Sequence, residues 1–195
     1  MKEKPILFSA PMVRAILDGR KTQTRRVMKF KNGGVQPRHN DFPGMRQIMR
    51  NCPFGQPGDR LWVREAFSIV PRTAYRCSEG VQQVLRPDDD HDAAIYREGW
   101  VRSQSGFRWR PSIHMPRWAS RITLEVTAIR IERLQDISDQ DCWAEGIEPM
   151  PDTHGWLARA AEYPREAFAD LWVETSGDGS WEVNPWVWVI EFRRI

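Results

Sequence analysis

Near the start of this chain a single glycine separates two incompatible periodicities, and that junction limits what the rest can build. Ser9-Ala10-Pro11-Met12-Val13-Arg14-Ala15-Ile16-Leu17 reads as a short helix. Ser9 serves as N-cap, and Pro11 lies in the first turn, where its missing N–H costs nothing. Met12, Val13, Ile16 and Leu17 fall at the spacing of one apolar face. Gly19 follows the last apolar residue, where a left-handed cap needs a residue without Cβ. Beyond it, Thr22, Thr24 and Val27 favour extended structure, and Arg20, Lys21, Arg25 and Arg26 place four cations in seven residues. A helix thus hands over to a basic strand carrying a lysine and two hydroxyls, a set suited to holding a phosphate or to chemistry.

The remaining pattern is of short strands and short helices. Lys29 to Gly58 is punctuated by Gly33-Gly34, Pro37, Pro43-Gly44, Pro53 and Pro57-Gly58 and reads as loop. A strand follows over 60–67, with Leu61, Val63 and Glu65 on one face and Trp62, Arg64 and Ala66 on the other. Residues 71–92 are irregular and polar, 94–97 form a short strand, and 99–117 form a surface loop in which aromatics alternate with basic residues. The clearest strand spans 121–131, where Ile122, Leu124 and Val126 alternate with Thr123, Glu125 and Thr127. Ser138 caps a short helix that ends at Glu145 before Gly146. A second helix covers 165–174 with Phe168, Leu171 and Trp172 inward, and a last strand runs from Trp186 to Phe192, with Trp186, Trp188 and Ile190 on its core face. With no βαβ rhythm, the class is α+β, built on a small barrel or a strongly curved sheet.

Composition narrows function mainly by exclusion. The chain has 195 residues, 41% hydrophobic and 28% charged, and no apolar run near the ~18 residues that a membrane helix needs. Met-Lys-Glu-Lys-Pro lacks the apolar core of a signal peptide, so a cytoplasmic location is expected. Cys52, Cys77 and Cys142 are odd in number and far apart, which speaks against a disulfide framework or a zinc site. The acids at 88–90 and 92, with His91, read as a solvated loop rather than a metal site, and no cofactor is expected. The net charge of +3 hides a polar distribution. Residues 1–38 hold ten Lys/Arg against two Asp/Glu, and residues 135–182 hold two Arg against twelve Asp/Glu. Such a basic segment suits a nucleic-acid partner, and equally suits packing against the acidic one.

Gly19-x-Lys21-x4-Arg26 matches the GxKxxxxR signature of the ASCH domain, a small β-barrel similar to the PUA RNA-binding fold. The opening helix, Pro57-Gly58-Asp59-Arg60, the strand at 121–131, the segment 134–146 and the Trp-rich final strand keep the family's order. The chain resembles the ASCH proteins of phages and prophages over about two thirds of its length. The resemblance implies one domain over 1–195, with inserted loops at 29–56, 68–118 and 148–164. It is also similar to the bacterial N4-acetylcytidine amidohydrolases, whose GRKTxT motif and later glutamate fall here on Lys21, Thr24 and Glu145.

That similarity implies a metal-independent amidohydrolase acting on N4-acylated cytidine-type nucleosides. The alternative is an RNA-binding PUA-like module, with or without ribonuclease activity. The partner expected in either case is a nucleoside or RNA, with no membrane and no obligatory protein. Burial and the neighbouring cations would lower the pKa of Lys21 and let it act as a base. Thr24 would be the nucleophile or would orient a water. On a regular strand residues three apart face opposite ways, so Lys21 and Thr24 meet only if the chain bends between them. Glu145, at a helix C-terminus where the dipole disfavours a carboxylate, suits a general acid/base. Arg20, Arg26 and Arg64 are candidate substrate contacts. Trp62, beside Arg64 on one strand face, is the candidate for stacking on a base.

Overall fold

The computed structural model describes residues 1–29, 45–103, 106–147 and 163–195. The chain is α+β, with two sheets and few short helices. Strands β1 (Glu3–Leu7), β3 (Arg60–Arg64), β7 (Thr123–Arg133), β8 (Trp186–Arg194) and β2 (Gln23–Val27) form one sheet in the spatial order β1-β3-β7-β8-β2. Only β1 and β3 run parallel; the other neighbours are antiparallel. Strands β4 (Phe67–Pro71), β6 (Asp92–Tyr96) and β5 (Val84–Leu85) form a second sheet in the order β4-β6-β5. The helices are α1 (Ala10–Leu17), α2 (Met45–Arg50), α3 (Asp139–Ala144) and α4 (Pro164–Ser176). No described helix is long and apolar enough to cross a membrane.

Most expected elements lie where periodicity places them. In β7, Leu124 and Val126 are buried while Thr123 and Glu125 are half-exposed, as alternation requires. Along the 60–65 segment Leu61, Val63 and Glu65 share the buried side. Glu65 tolerates burial because Arg121 donates to both its oxygens at 2.9 and 2.8 Å. Ser138 caps α3 with its hydroxyl accepting from the Asp141 N–H at 3.1 Å.

Other features depart from the sequence reading. No backbone pairing among the described residues joins β1 to β2, so a closed barrel is not found there; the sheet's two edges meet where Arg26 donates to the Leu7 carbonyl. The strand expected over 60–67 is two strands, because the chain leaves the first sheet after Arg64 and enters the second at Phe67. Residues 84–85, expected to be irregular, pair with β6, and residues 45–50, expected to be loop, form α2. Residues 30–44 of the first expected loop, 104–105 of the second and 148–162 of the third lie outside the described residues. Strand β8 is buried on both faces rather than one. Trp186, Trp188, Ile190 and Phe192 enter the main core with α1 and β7, while Val187 and Val189 pack with Leu134, Phe168 and Trp172.

Gly146 sets how closely α3 approaches α1. Its φ is +89°, and a Cβ there would lie 2.9 Å from the Ala15 Cβ and 3.0 Å from the Lys21 Cβ. Backbone strain and overpacking therefore act together on Gly146→Ala, which should lose about 2–4 kcal/mol of unfolding free energy in urea titrations. A loss under about 0.5 kcal/mol, the scale of a neutral surface change, would mean that the approach is not fixed here.

Candidate functional site

The glycine junction after α1 places Lys21. Gly19, at φ +76°, turns the chain so that the N–H groups of Arg20 and Lys21 both reach the Ala15 carbonyl, at 2.9 and 3.0 Å. Thr22 N–H then bonds the Ala144 carbonyl at 2.8 Å, and β2 begins only at Gln23. Lys21 thus precedes the strand, and the opposite-faces rule for residues three apart does not apply to it and Thr24.

Lys21 and Glu145 meet across 124 residues of chain. Lys21 Nζ donates to the Glu145 carboxylate Oε2 at 2.7 Å and to the Glu145 carbonyl at 2.8 Å. Both residues are buried, at 2% and 4% exposure. Arg25 fills the other carboxylate oxygen, Oε1, at 3.1 Å, and its Nη2 reaches Asp141 at 2.9 Å and Glu132 at 3.1 Å. Arg130 extends the network to Asp141, Glu132 and Glu191. Burial pushes the Lys21 ammonium below the ordinary lysine range; Glu145 opposes this, while Arg26 and Arg25 reinforce it. For Asp141, burial pushes the carboxyl up, and Arg130 and Arg25 more than offset it, leaving it below the usual carboxylate range.

A cleft of about 450 Å³ opens beside this network, within the size range of small-molecule sites. Thr24, Arg26 and Glu145 line it, while Lys21 stands behind with no side-chain exposure. Among the described residues the Thr24 side chain makes no hydrogen bond, although the residue is only 2% exposed. Arg26 lies over the Phe8 ring at 5.2 Å. The opposite wall is α4, whose Phe168, Leu171, Trp172 and Thr175 repeat at helical spacing along the cleft.

Not every expected site residue is here. Arg20 stays near, donating to the Gly146 carbonyl at 3.3 Å and to Asp18 at 3.0 Å. Trp62 and Arg64 lie on β3, separated from β2 by β7 and β8, and do not line this cleft. The Arg64 guanidinium lies 5.1 Å from the Trp62 ring and that of Arg117 6.0 Å, so cations already occupy the surroundings of the proposed stacking surface. The acids of the 88–92 loop pair with Arg86 and Arg72. Sequence reasoning missed Arg25 as a site residue and missed Phe8 and Trp172 as aromatic walls. The α4 periodicity carried a signal for Trp172, whereas nothing local distinguished Arg25 from Arg26.

No protein-family model matches the chain, and no curated protein matches it. Among solved structures, it is similar to the ASCH domain from Lactobacillus crispatus JV V101 at 11% identity and a TM-score of 0.40, over 99% of this chain and 79% of that one. It is also similar to the hypothetical protein PH0355 at 10% identity and a TM-score of 0.42, over the whole of both chains.

Removing Glu145 leaves Lys21 buried without its counter-charge, so Glu145→Ala should cost about 3–5 kcal/mol at neutral pH. The lost partner lowers the folded-state pKa of Lys21 further below its unfolded value of about 10.4. The penalty is then full below the folded pKa and is relieved as pH rises toward the unfolded one. Urea titrations should therefore find a smaller loss at pH 10 than at pH 7, and equal losses would mean that Lys21 is not the group left uncompensated.

Proposed function

We propose that the cleft hydrolyses an N-acyl amide on a cytosine-type base, releasing the free amine and a carboxylic acid. The observation that carries this reading is the double contact of Lys21 Nζ with Glu145 beside a cleft-lining threonine. An uncharged amine has two N–H bonds and one lone pair. In the uncharged fraction, which burial enlarges against the ion pair with Glu145, both N–H positions are taken by Glu145 and the lone pair is left to accept the proton of Thr24 or of a water that Thr24 holds. Oxygen attack on the acyl carbon gives a tetrahedral oxyanion facing Arg26 or a backbone N–H, a contribution of about 3–4 kcal/mol when the donor is preorganised. Collapse breaks the C–N bond, and the departing amine takes its proton through Glu145; water then clears any acyl-threonine. Phe8, Phe168 and Trp172 supply the aromatic surface against which a pyrimidine ring lies. The ASCH-type, PUA-like kinship of the fold, the single domain with inserted loops and the phage or prophage kinship belong to this same reading.

The competing reading, RNA binding through the basic strand, is weakened by where its charges go. Lys21 and Arg25 are committed to Glu145, Asp141 and Glu132, so the cations that suggested a phosphate track are mostly neutralised within the fold.

Incubation of the purified protein with N4-acetylcytidine should release acetate, with and without EDTA. Lys21→Ala, Thr24→Ala and Glu145→Ala should each fall at least about a hundredfold, the low end for loss of acid–base catalysis. Turnover unchanged in Thr24→Ala, or a wild-type protein inert with EDTA and with added metals alike, would end the amidohydrolase reading.

A further inference from the structure

Glu145 meets two cations, and the chemistry proposed above uses only one of them. Lys21 Nζ donates to Oε2 at 2.7 Å and to the Glu145 carbonyl at 2.8 Å. Arg25 Nη1 donates to Oε1 at 3.1 Å, while its Nη2 reaches Asp141 at 2.9 Å and Glu132 at 3.1 Å. These three carboxylates come from the C-cap of α3, the first turn of α3 and β7. Together they fix the plane of a rigid guanidinium, and that plane in turn fixes the Glu145 carboxylate. A lysine here would offer a point charge on a flexible stem and could not hold all three in one geometry. The Arg25 side chain has no exposure and lies over the Phe168 ring at 5.9 Å. Among the described residues its Nε is buried without an acceptor. An unsatisfied buried donor costs stability, so stability alone does not account for this placement.

We propose that Arg25 is a positioning residue of the cleft: by holding Oε1 it leaves Oε2 as the one Glu145 oxygen that exchanges a proton with Lys21 and with the departing amine. This role rests on the amidohydrolase reading. As the Thr24 oxygen, or that of its water, bonds the acyl carbon, its proton passes to the lone pair of Lys21 Nζ. Nζ passes one proton to Oε2, and Oε2 gives it to the substrate nitrogen, which leaves with the electron pair of the broken C–N bond. A carboxylate free to turn would present Oε1 in place of Oε2 and interrupt that relay. Arg25 acts on charge as well. Lys21 faces Glu145 from α3, Arg25 and Arg26 from β2 and the Phe8 ring at 5.8 Å, and α1 meets it through the uncharged Ala15 carbonyl. Arg25 opposes the Lys21 ammonium directly, and it shares the carboxylate that would otherwise favour the ammonium in full.

The test follows Lys21 by NMR in the full chain, which has only five lysines to label at the ε-carbon; the Lys21 resonance is the one missing from Lys21→Arg. In Arg25→Gln the Lys21 titration should move to higher pH than in wild type. The acidic limb of kcat/KM for N4-acetylcytidine should move with it, because the uncharged lysine is the active form. Arg25→Lys keeps the charge without the fork. Its Lys21 titration should stay near that of wild type, while kcat falls by up to about a hundredfold with KM unchanged. A residue that only held the fold together would lower thermal stability in both variants and leave the Lys21 titration and the pH limb in place. The inference is overturned if Lys21 titrates in Arg25→Gln as in wild type, or if Arg25→Lys keeps the wild-type kcat. Should Arg25→Gln not fold, the kcat of Arg25→Lys decides. A wild type without turnover ends the amidohydrolase reading, and the titration in Arg25→Gln then decides this inference alone.

Discussion

Everything that positions the cleft depends on a buried ion pair, Lys21 with Glu145, and on the arginine that shares the same carboxylate. Burying such charges is expensive unless the geometry is good and the remaining hydrogen-bonding capacity is filled. Both conditions hold. The Glu145 oxygens are divided between Lys21 and Arg25, and its carbonyl takes a further Lys21 N–H. Arg25 in turn ties α3 and β7 to β2 through Asp141 and Glu132. A network of this kind penalises alternatives strongly, because any shift of α3 against β2 strands a buried charge.

The helices that frame the network are too short to stand alone and take their stability from packing. Helix α3 has six residues; a serine cap holds one end, and a glycine at the other admits Ala15 and Lys21. Helix α4 is held by the outer face of β8, where Val187 and Val189 meet Phe168 and Trp172. The cleft wall is therefore an extension of the second core cluster. The same aromatic side chains that complete this cluster, Phe168 and Trp172, line the cleft beside the network.

Charge is sorted by location. The basic amino-terminal segment and the acidic segment after residue 135 meet in the interior, where Lys21 and Arg25 face Asp141 and Glu145, so much of the long-range asymmetry is consumed in folding. Other arginines are held by backbone carbonyls instead: Arg26 by Leu7, Arg64 by Met115, Arg165 by Gln135 and Arg194 by Leu17. A compositional excess of positive charge does not by itself identify a binding face, because much of it can be consumed in internal pairs.

Local rules carried the sequence reading a long way. The cap at Ser138, the glycines at 19 and 146, the alternation through Leu124 and Val126, and the inward stripe of α4 follow from hydrogen bonding and periodicity within a few residues. Lys21, Thr24 and Glu145 were suggested together by their resemblance to a motif, since no local rule links positions 21 and 145. What only the tertiary structure decided is pairing at long range. It separated Arg25, bound by three acids, from Arg26, which donates to the Leu7 carbonyl, although both border the cleft, and it set Trp62 and Arg64 three strands away from the site they were expected to serve. It also buried the second face of β8, whose apolar residues fit either one buried face or two. The physical reason is common to all of these. A side chain's partner across a sheet or between segments is chosen by packing and by the cost of leaving buried charge unpaired, and neither quantity is periodic along the chain.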